Sequence, residues 1–281
     1  MAIILDGKAL SAKIKEQLKL EIDQIKDRRK PKLVVVIVGD NPASLTYVQA
    51  KAKACKQIGM ESEIVRFPAT ITQQHLLSTI TDLNNDQTVD GILVQLPLPK
   101  HLNEQAVIVT LDPNKDVDGF HPLNVGYLHS KQPGFVPCTP KGVVALLDAY
   151  QIDLKGKRVL VIGRSHLVGR PVAQLLVDAH ATVTIAHSRS LEIEKLCQEA
   201  DVIVAAAGVE SYIKKEWVKP NAVVVDVGIH RLEDGSIVGD VDKGVMDVAS
   251  YITPVPGGIG PMTIAMLLSN TMDAYHQHIQ E

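Results

Sequence analysis

Hydrophobic positions along this chain follow two periods in turn. Short aliphatic and β-branched runs at Leu33–Val38, Glu61–Phe67, Gly91–Leu96, Val159–Ile162, Thr182–Ala186, Val202–Ala206 and Val223–Val227 predict strands. Many are unbroken Val/Ile/Leu stretches, the pattern of strands buried on both faces of a parallel sheet. Between them, helical patterning runs over Lys8–Arg28, Ala43–Ile58, Gln73–Asn84, Lys141–Tyr150, Pro171–Ala179, Leu191–Glu199 and Pro261–Ile279. The alternation predicts an α/β fold with right-handed crossovers. From about Asp112 to Pro140 the chain is rich in Pro, Gly, Asp and Asn and reads as loops and turns, separating a first set of strands from a second. A further break, Thr253–Pro261, precedes the last helix. Two lobes joined by loop-rich segments are expected, with a ligand cleft between them.

Composition narrows the class. A chain of 281 residues, 46% hydrophobic and 22% charged, has room for two domains with real cores. The net charge of −3 and the lack of a basic tract give no reason to expect nucleic-acid binding. The segment from Met1 to Asp6 has no basic region and does not read as a signal peptide, and runs such as Val202–Val209 are too short to span a bilayer. Three unpaired cysteines, Cys55, Cys138 and Cys197, suit a reducing cytoplasm. The histidines form no metal-ligand pattern, so no metal is expected.

The most informative polar positions are Tyr47 and Lys51. Four residues apart on a helix, they project from one face, which Cys55 and Ile58 continue, so that face should be mostly buried. Lys53 should face elsewhere. Burial disfavours the ammonium form and suits a lysine to proton transfer. A lysine with its stem on apolar surface and its head in water is the alternative. Gln95, near the end of an otherwise apolar strand, must find partners if buried: a lysine, a substrate amide or a neighbouring loop. Asp116 and Asp118 stand two apart, which allows a metal pair, a turn on Asp118-Gly119, or a carboxylate paired with the N–H edge of a bicyclic base such as a pterin.

The stretch from Lys157 to Pro171 is a strand, a tight turn and a helix start, the setting of a dinucleotide fingerprint. Gly163 permits the turn, Gly169 lets the helix approach the sheet, and Pro171 suits the first helical turn. Free amides at that helix start suit a pyrophosphate. Ser165 stands where a second glycine is usual. After the next strand, His187-Ser188-Arg189-Ser190 carries no carboxylate to repel a 2′-phosphate, while Ser188, Arg164 and Arg189 can bind one, which favours NADP over NAD. Val223–Val227 runs into Gly228-Ile229, where a nicotinamide could rest. Glycines 257, 258 and 260 allow close approach of backbone to a ligand, or form a stiff hinge.

Together these segments resemble one family, the bifunctional methylenetetrahydrofolate dehydrogenase/methenyltetrahydrofolate cyclohydrolases. The resemblance runs nearly the whole chain, through Val38–Ser44, Tyr47–Lys51, Val94–Pro99, Lys115–Pro122, Pro137–Pro140, Gly163–Gly169, Asp226–Ile229 and Pro254–Thr263. It implies two linked reactions: NADP-dependent oxidation of 5,10-methylenetetrahydrofolate to the methenyl cation, then hydrolysis to 10-formyltetrahydrofolate, in one-carbon metabolism that feeds purine biosynthesis. By the family pattern Lys51 is the general acid/base, positioned by Tyr47 and Gln95. Asp118 holds the pterin edge. Ser44, Val94, Leu96, Pro256, Gly257, Gly258, Ile259, Gly260, Pro261 and Thr263 shape the folate pocket. Gly163, Arg164, Ser165, Val168, Gly169, His187, Ser188, Gly228 and Ile229 contact NADP. The resemblance also implies a cytoplasmic homodimer of two α/β lobes. Residues 1–137 form the folate-binding catalytic domain, with 258–281 returning to it as the last helix, and 138–257 form a Rossmann-like, doubly wound, mostly parallel NADP domain. One departure is Lys243, where the family often has an aromatic. Two other classes compete: a different NADP dehydrogenase, which would not need Tyr47, Lys51 and Gln95 together, and a non-catalytic nucleotide sensor.

Overall fold

The computed structural model describes residues 2–279. In chain order the described residues form β1 (Ile3–Ile4), α1 (Gly7–Asp23), β2 (Lys32–Val38), α2 (Pro42–Ile58), β3 (Glu61–Phe67), α3 (Gln73–Asn85), β4 (Gly91–Val94), α4 (Glu104–Thr110), α5 (Pro122–Ser130), α6 (Cys138–Ala149), β5 (Arg158–Ile162), α7 (Gly169–Asp178), β6 (Thr182–Ala186), α8 (Ile193–Glu199), β7 (Val202–Ala205), β8 (Val223–Asp226), β9 (His230–Arg231), β10 (Ile237–Val238), β11 (Tyr251–Ile252) and α9 (Ile259–His278). They divide into two compact units. One holds Lys13–Cys138 and the chain from Ile264 onward; the other holds the chain up to Ala12 and Thr139–Thr263.

The unit built on Lys13–Cys138 has a parallel sheet in the order β3-β2-β4. Central β2 is apolar at every position after Lys32 because both faces are covered. Val34, Val36 and Val38 pack with Leu76 and Ile80 of α3 and Val107 of α4. Leu33, Val35 and Ile37, pointing the other way, are equally buried.

In the other unit six strands run parallel in the order β1-β11-β8-β7-β5-β6. Alternate residues feed two separate cores. Val159, Val161, Val202, Val204, Val223 and Val225 pack with Leu146 of α6 and Val172 of α7. Leu160, Ile162, Ile203, Ala205 and Val224 pack with Cys197 of α8 and Val245. This is the doubly wound parallel sheet that the family resemblance implies.

Some expectations change. The segment read as loop from Asp112 to Pro140 contains α5, which starts at Pro122 with His121 Nδ1 accepting the Leu123 N–H at 3.1 Å. The first helix stops at Asp23 rather than Arg28, where Lys30 Nζ donates to the carbonyl of Ile22 in the last turn (2.6 Å) and to that of Ile25 just beyond it (2.9 Å). The third strand stops at Val94. β1, β9, β10 and β11 are two residues each, too short for any period to reveal.

Candidate active site

Helix α2 begins at a strong local signal. The Asn41 side chain accepts the N–H groups of Ala43 and Ser44 at 3.0 and 3.1 Å, and Pro42 occupies the first turn. The helix ends at Gly59, whose φ of +81° is the left-handed cap. Between them Ser44, Val48, Lys51, Cys55 and Ile58 make a buried stripe at alternating spacings of four and three. Lys51 is 9% exposed and Lys53 faces solvent. Tyr47 departs from expectation: it lies at the edge of the stripe and is 42% exposed.

Lys51 Nζ donates to Gln95 Oε1 at 3.0 Å, and Gln95 Nε2 donates to the Leu96 carbonyl at 2.7 Å, which fixes the amide with its oxygen toward the lysine. Gln95 sits one residue past β4, and its own N–H still donates to Val36 O at 2.8 Å. The end of a sheet strand therefore aims the amide at a helix face.

Asp118 completes the group. Loss of surrounding water raises its carboxyl above the ordinary range, against the charge of Lys51 and a hydrogen bond from Cys138. Its segment is tied down on both sides. Asn270 Nδ2, on α9, donates to the carbonyls of Val117 (2.8 Å) and Val136 (3.0 Å), and Cys138 Sγ lies 3.3 Å from Val117 O. Asp116 is fully buried, and its Oδ2 accepts the His121 N–H at 2.7 Å and Asn124 Nδ2 at 3.0 Å. Neither Asn270 nor Asn124 is marked by any sequence motif. No group of three or more His, Cys, Asp or Glu that could hold a metal occurs among the described residues, so Asp116 and Asp118 stand as a pair without a third ligand.

The nucleotide-type turn lies in the other unit. Gly163 has φ +129°, and a Cβ there would collide with the Ala206 carbonyl at the next strand's end. A Cβ on Gly169 would strike the Gly163 carbonyl. The two glycines thus bring helix, turn and neighbouring strand into one cradle. The amides expected to be free at the start of α7 are partly used: Ser165 Oγ accepts those of Val168 (3.1 Å) and Gly169 (3.3 Å), capping the helix from inside the turn. Arg164, Ser188 and Arg189 are exposed and His187 is half-buried.

At the end of β8 the structure builds a network that the sequence did not announce. Asp226 is buried and accepts the N–H groups of Gly228, Asp240 and Val241, each at 2.9 Å. Burial pushes its carboxyl up to about 6, those amides oppose the rise, and Asp240 adds to it. Asp240 in turn accepts the Gly208 N–H at 2.9 Å and meets His230 Nε2 at 2.8 Å. The loops after β7 and β8 are so locked together at the carboxyl ends of the strands, where open parallel sheets bind ligands. Ile229 projects from this network 47% exposed. A lone aspartate ending Val223-Val224-Val225 was the available signal.

The glycine-rich segment behaves in two ways. A Cβ on Gly258 would come within 2.7 Å of Pro254 O and 2.8 Å of Thr253 Cβ, and a Cβ on Gly7 would collide with the Gly258 carbonyl, so its close approach is to the chain's own N-terminal segment. Gly260 is open: among the described residues an added Cβ would meet only Ile229 Cδ1, in ordinary contact at 3.8 Å. Ile259 points into the core and Pro256 is exposed. Thr263 Oγ1 meets Thr139 Oγ1 at 2.9 Å.

Residues 5–118 match the family model described as the tetrahydrofolate dehydrogenase/cyclohydrolase catalytic domain, and residues 137–279 match the NAD(P)-binding domain of the same name. The chain belongs to the tetrahydrofolate dehydrogenase/cyclohydrolase family. The bifunctional protein FolD of Listeria innocua is 50% identical over 276 residues, covering 98% of this chain and 97% of that protein. The crystal structure of the bifunctional FolD methylenetetrahydrofolate dehydrogenase/cyclohydrolase from Campylobacter jejuni superposes with a TM-score of 0.97 at 51% identity, covering 99% of each chain. The Trypanosoma brucei dehydrogenase-cyclohydrolase, solved with NADP and an inhibitor, superposes at 0.96 with 38% identity, covering 100% of this chain and 99% of that one. As a tetrahydrofolate dehydrogenase/cyclohydrolase, the chain is an enzyme with both activities. It oxidises 5,10-methylenetetrahydrofolate to the methenyl compound and hydrolyses that to 10-formyltetrahydrofolate.

Proposed function

We propose that Lys51, Gln95, Tyr47 and Asp118 carry the folate chemistry and that NADP is the hydride acceptor. The observation that carries this reading is the buried Lys51 amine held at 3.0 Å by Gln95, with its charge felt by Asp118. Asp118 grips the N–H edge of the pterin. Tyr47, exposed one turn from Lys51, packs on the substrate, beside Ser44, Val94 and Leu96. In the hydrolytic step water attacks the methenyl carbon while Lys51, present in that step as the neutral amine, takes its proton. A proton then returns to the departing ring nitrogen as the carbon–nitrogen bond breaks, leaving the formyl group. Gln95 holds the amine in line throughout.

The residues present fit the dinucleotide: the cradle at Gly163 and Gly169 would be filled by any side chain, and the His187–Ser190 turn after β6 carries no carboxylate. The bound nicotinamide supplies the acceptor for the hydride leaving the methylene carbon. Arg164, Ser165, Val168, His187 and Ser188 hold its phosphates and ribose, while Gly228 and Ile229 shape the nicotinamide end. The relative solved with NADP supports that preference. The segment Pro256, Gly257, Gly258, Ile259, Gly260, Pro261 and Thr263 lines the folate pocket chiefly with backbone. We assign 1–137, with 258–281, as the folate domain and 138–257 as the NADP domain, except that the chain up to Ala12, whose β1 pairs with β11 of the six-stranded sheet, and 258–263 go with the NADP unit; residues 1, 280 and 281 lie outside the described residues. The active form is a cytoplasmic homodimer. Among the described residues no helix is long and apolar enough to cross a membrane.

The test is spectrophotometric. Wild type reduces NADP faster than NAD with 5,10-methylenetetrahydrofolate, and Lys51→Gln loses hydrolysis of the methenyl compound by at least about 100-fold. A Lys51→Gln variant that hydrolyses at the wild-type rate overturns the assignment. Light scattering of the purified protein reads the dimer.

A further inference from the structure

We propose that Asp116 is a positioning residue for Asp118, acting through one water molecule enclosed between the two side chains. The proposal rests on the reading of Asp118 as the folate-holding carboxylate and adds a residue to it.

Asp116 and Asp118 alternate with Val117 and line one small cavity, whose other walls include Val94, Leu96 and Phe120. Its volume of about 10 Å³ is that of a single water. Asp116 is fully buried, and its two oxygens are treated differently. Oδ2 is satisfied by the His121 amide and Asn124. Oδ1 has no hydrogen-bond partner among the described residues. A buried carboxylate oxygen without a donor is costly. Of the groups around it, Lys115 Nζ turns away to the carbonyls of Leu83 and Asp86, Asn270 donates to the intervening Val117 carbonyl, and Cys138 lies against that carbonyl and the Asp118 carboxyl. Lys51 acts on Asp118 from α2, and the His121 charge bears on Asp116.

Water is the occupant that fits. It donates one O–H to Asp116 Oδ1 and the other to the Asp118 carboxyl, so two like charges two residues apart are bridged rather than opposed. The bridge turns one oxygen of Asp118 toward the cavity and leaves the other for ligand. Desolvation holds both carboxyls above the ordinary range, Asp116 at about 6 with Asp118 contributing.

Two measurements test this. A high-resolution crystal structure of wild type should show an ordered water between Asp116 Oδ1 and the Asp118 carboxyl; a dry cavity overturns the proposal. Asp116→Asn keeps an acceptor for the His121 amide and offers an N–H to the same water, so it should fold. Removing one negative charge lets Asp118 stay ionised to lower pH. The acid limb of kcat/KM for methenyltetrahydrofolate should therefore move down by about half a pH unit or more, with kcat at high pH within about twofold of wild type. An unmoved acid limb overturns the coupling, and a residue that merely supports the fold would change thermal stability without moving that limb. Asp118→Asn is the control. If it leaves the KM for folate unchanged, the assignment of Asp118 fails, while the crystallographic density still decides the water.

Discussion

Gly163 shows how much one residue can fix. Its φ of +129° and the collision any Cβ would make with the Ala206 carbonyl leave no room for substitution. Gly163→Ala should lower the melting temperature and raise the KM for NADP at least about tenfold, while hydrolysis of supplied methenyltetrahydrofolate falls much less. Thermal unfolding and the two separate assays check it. Asp116 makes a different kind of prediction. Burial raises its carboxyl from the ordinary 3.8 to about 6, so between those values the folded chain binds more protons than the unfolded one. That contribution to stability is fully present below about pH 4 and is lost as pH rises through about 6. Asp116→Asn removes it, so the melting temperature of the variant relative to wild type should climb between pH 4 and pH 7. Calorimetry across that range reads the sign. Glycines at a turn are visible in a sequence because only glycine tolerates the geometry. Asp226 and Asp240 are not, because 14 residues separate them and only folding brings the Asp240 amide to the Asp226 carboxylate.

At the scale of elements, local chemistry set most boundaries. Helix α2 is delimited by Asn41, Pro42 and Gly59, all of which act through neighbours in sequence. Asn41→Ala should cost about 1 kcal/mol, measured by denaturant unfolding, with the Lys51–Gln95 pair intact and hydrolysis close to wild type. The unbroken Val/Ile runs identified β2, β5, β7 and β8 because burial on both faces removes the polar alternation that other strands show. Two-residue strands such as β1 and β11 escaped for the opposite reason. Their backbone pairing, Ile3 with Tyr251 and Ile4 with Ile252, is a property of the sheet and not of their composition. Helix α5 escaped because Pro122, Asn124 and Gly126 read as loop, yet Asn124 is spent on the Pro113 carbonyl and Asp116.

At the scale of the whole molecule, the last helix returns to the unit that holds Lys51. Arg29 donates to both oxygens of buried Asp90 at 2.6 and 2.7 Å, His278 Nδ1 lies 3.1 Å from the same carboxylate, and Tyr275 donates to the Arg29 carbonyl at 2.9 Å. Burial alone would raise the Asp90 carboxyl, but the hydrogen bonds from Arg29, His278 and the Lys32 amide outweigh it and hold the group below the ordinary range. Its contribution is therefore present above about pH 4 and is lost as pH falls through the lowered value. Asp90→Ala should cost roughly 3 kcal/mol at neutral pH, shrinking toward pH 3, as followed by denaturant melts at both values. The sequence by itself determined the α/β alternation, the buried parallel strands, the nucleotide turn and the shared helix face of Tyr47 and Lys51. Each of these depends on the spacing of neighbours in the chain: periods of 2 and 3.6, glycines where no Cβ fits, caps that reach one turn. Tertiary structure alone decided that Gln95 meets Lys51 across 44 residues, that Asn270 pins the backbone beside Asp118 from 153 residues away, and that Asp226 and Asp240 lock two loops together. Partners so distant leave no period in the chain; they are selected when desolvated polar groups must find one another in the folded interior.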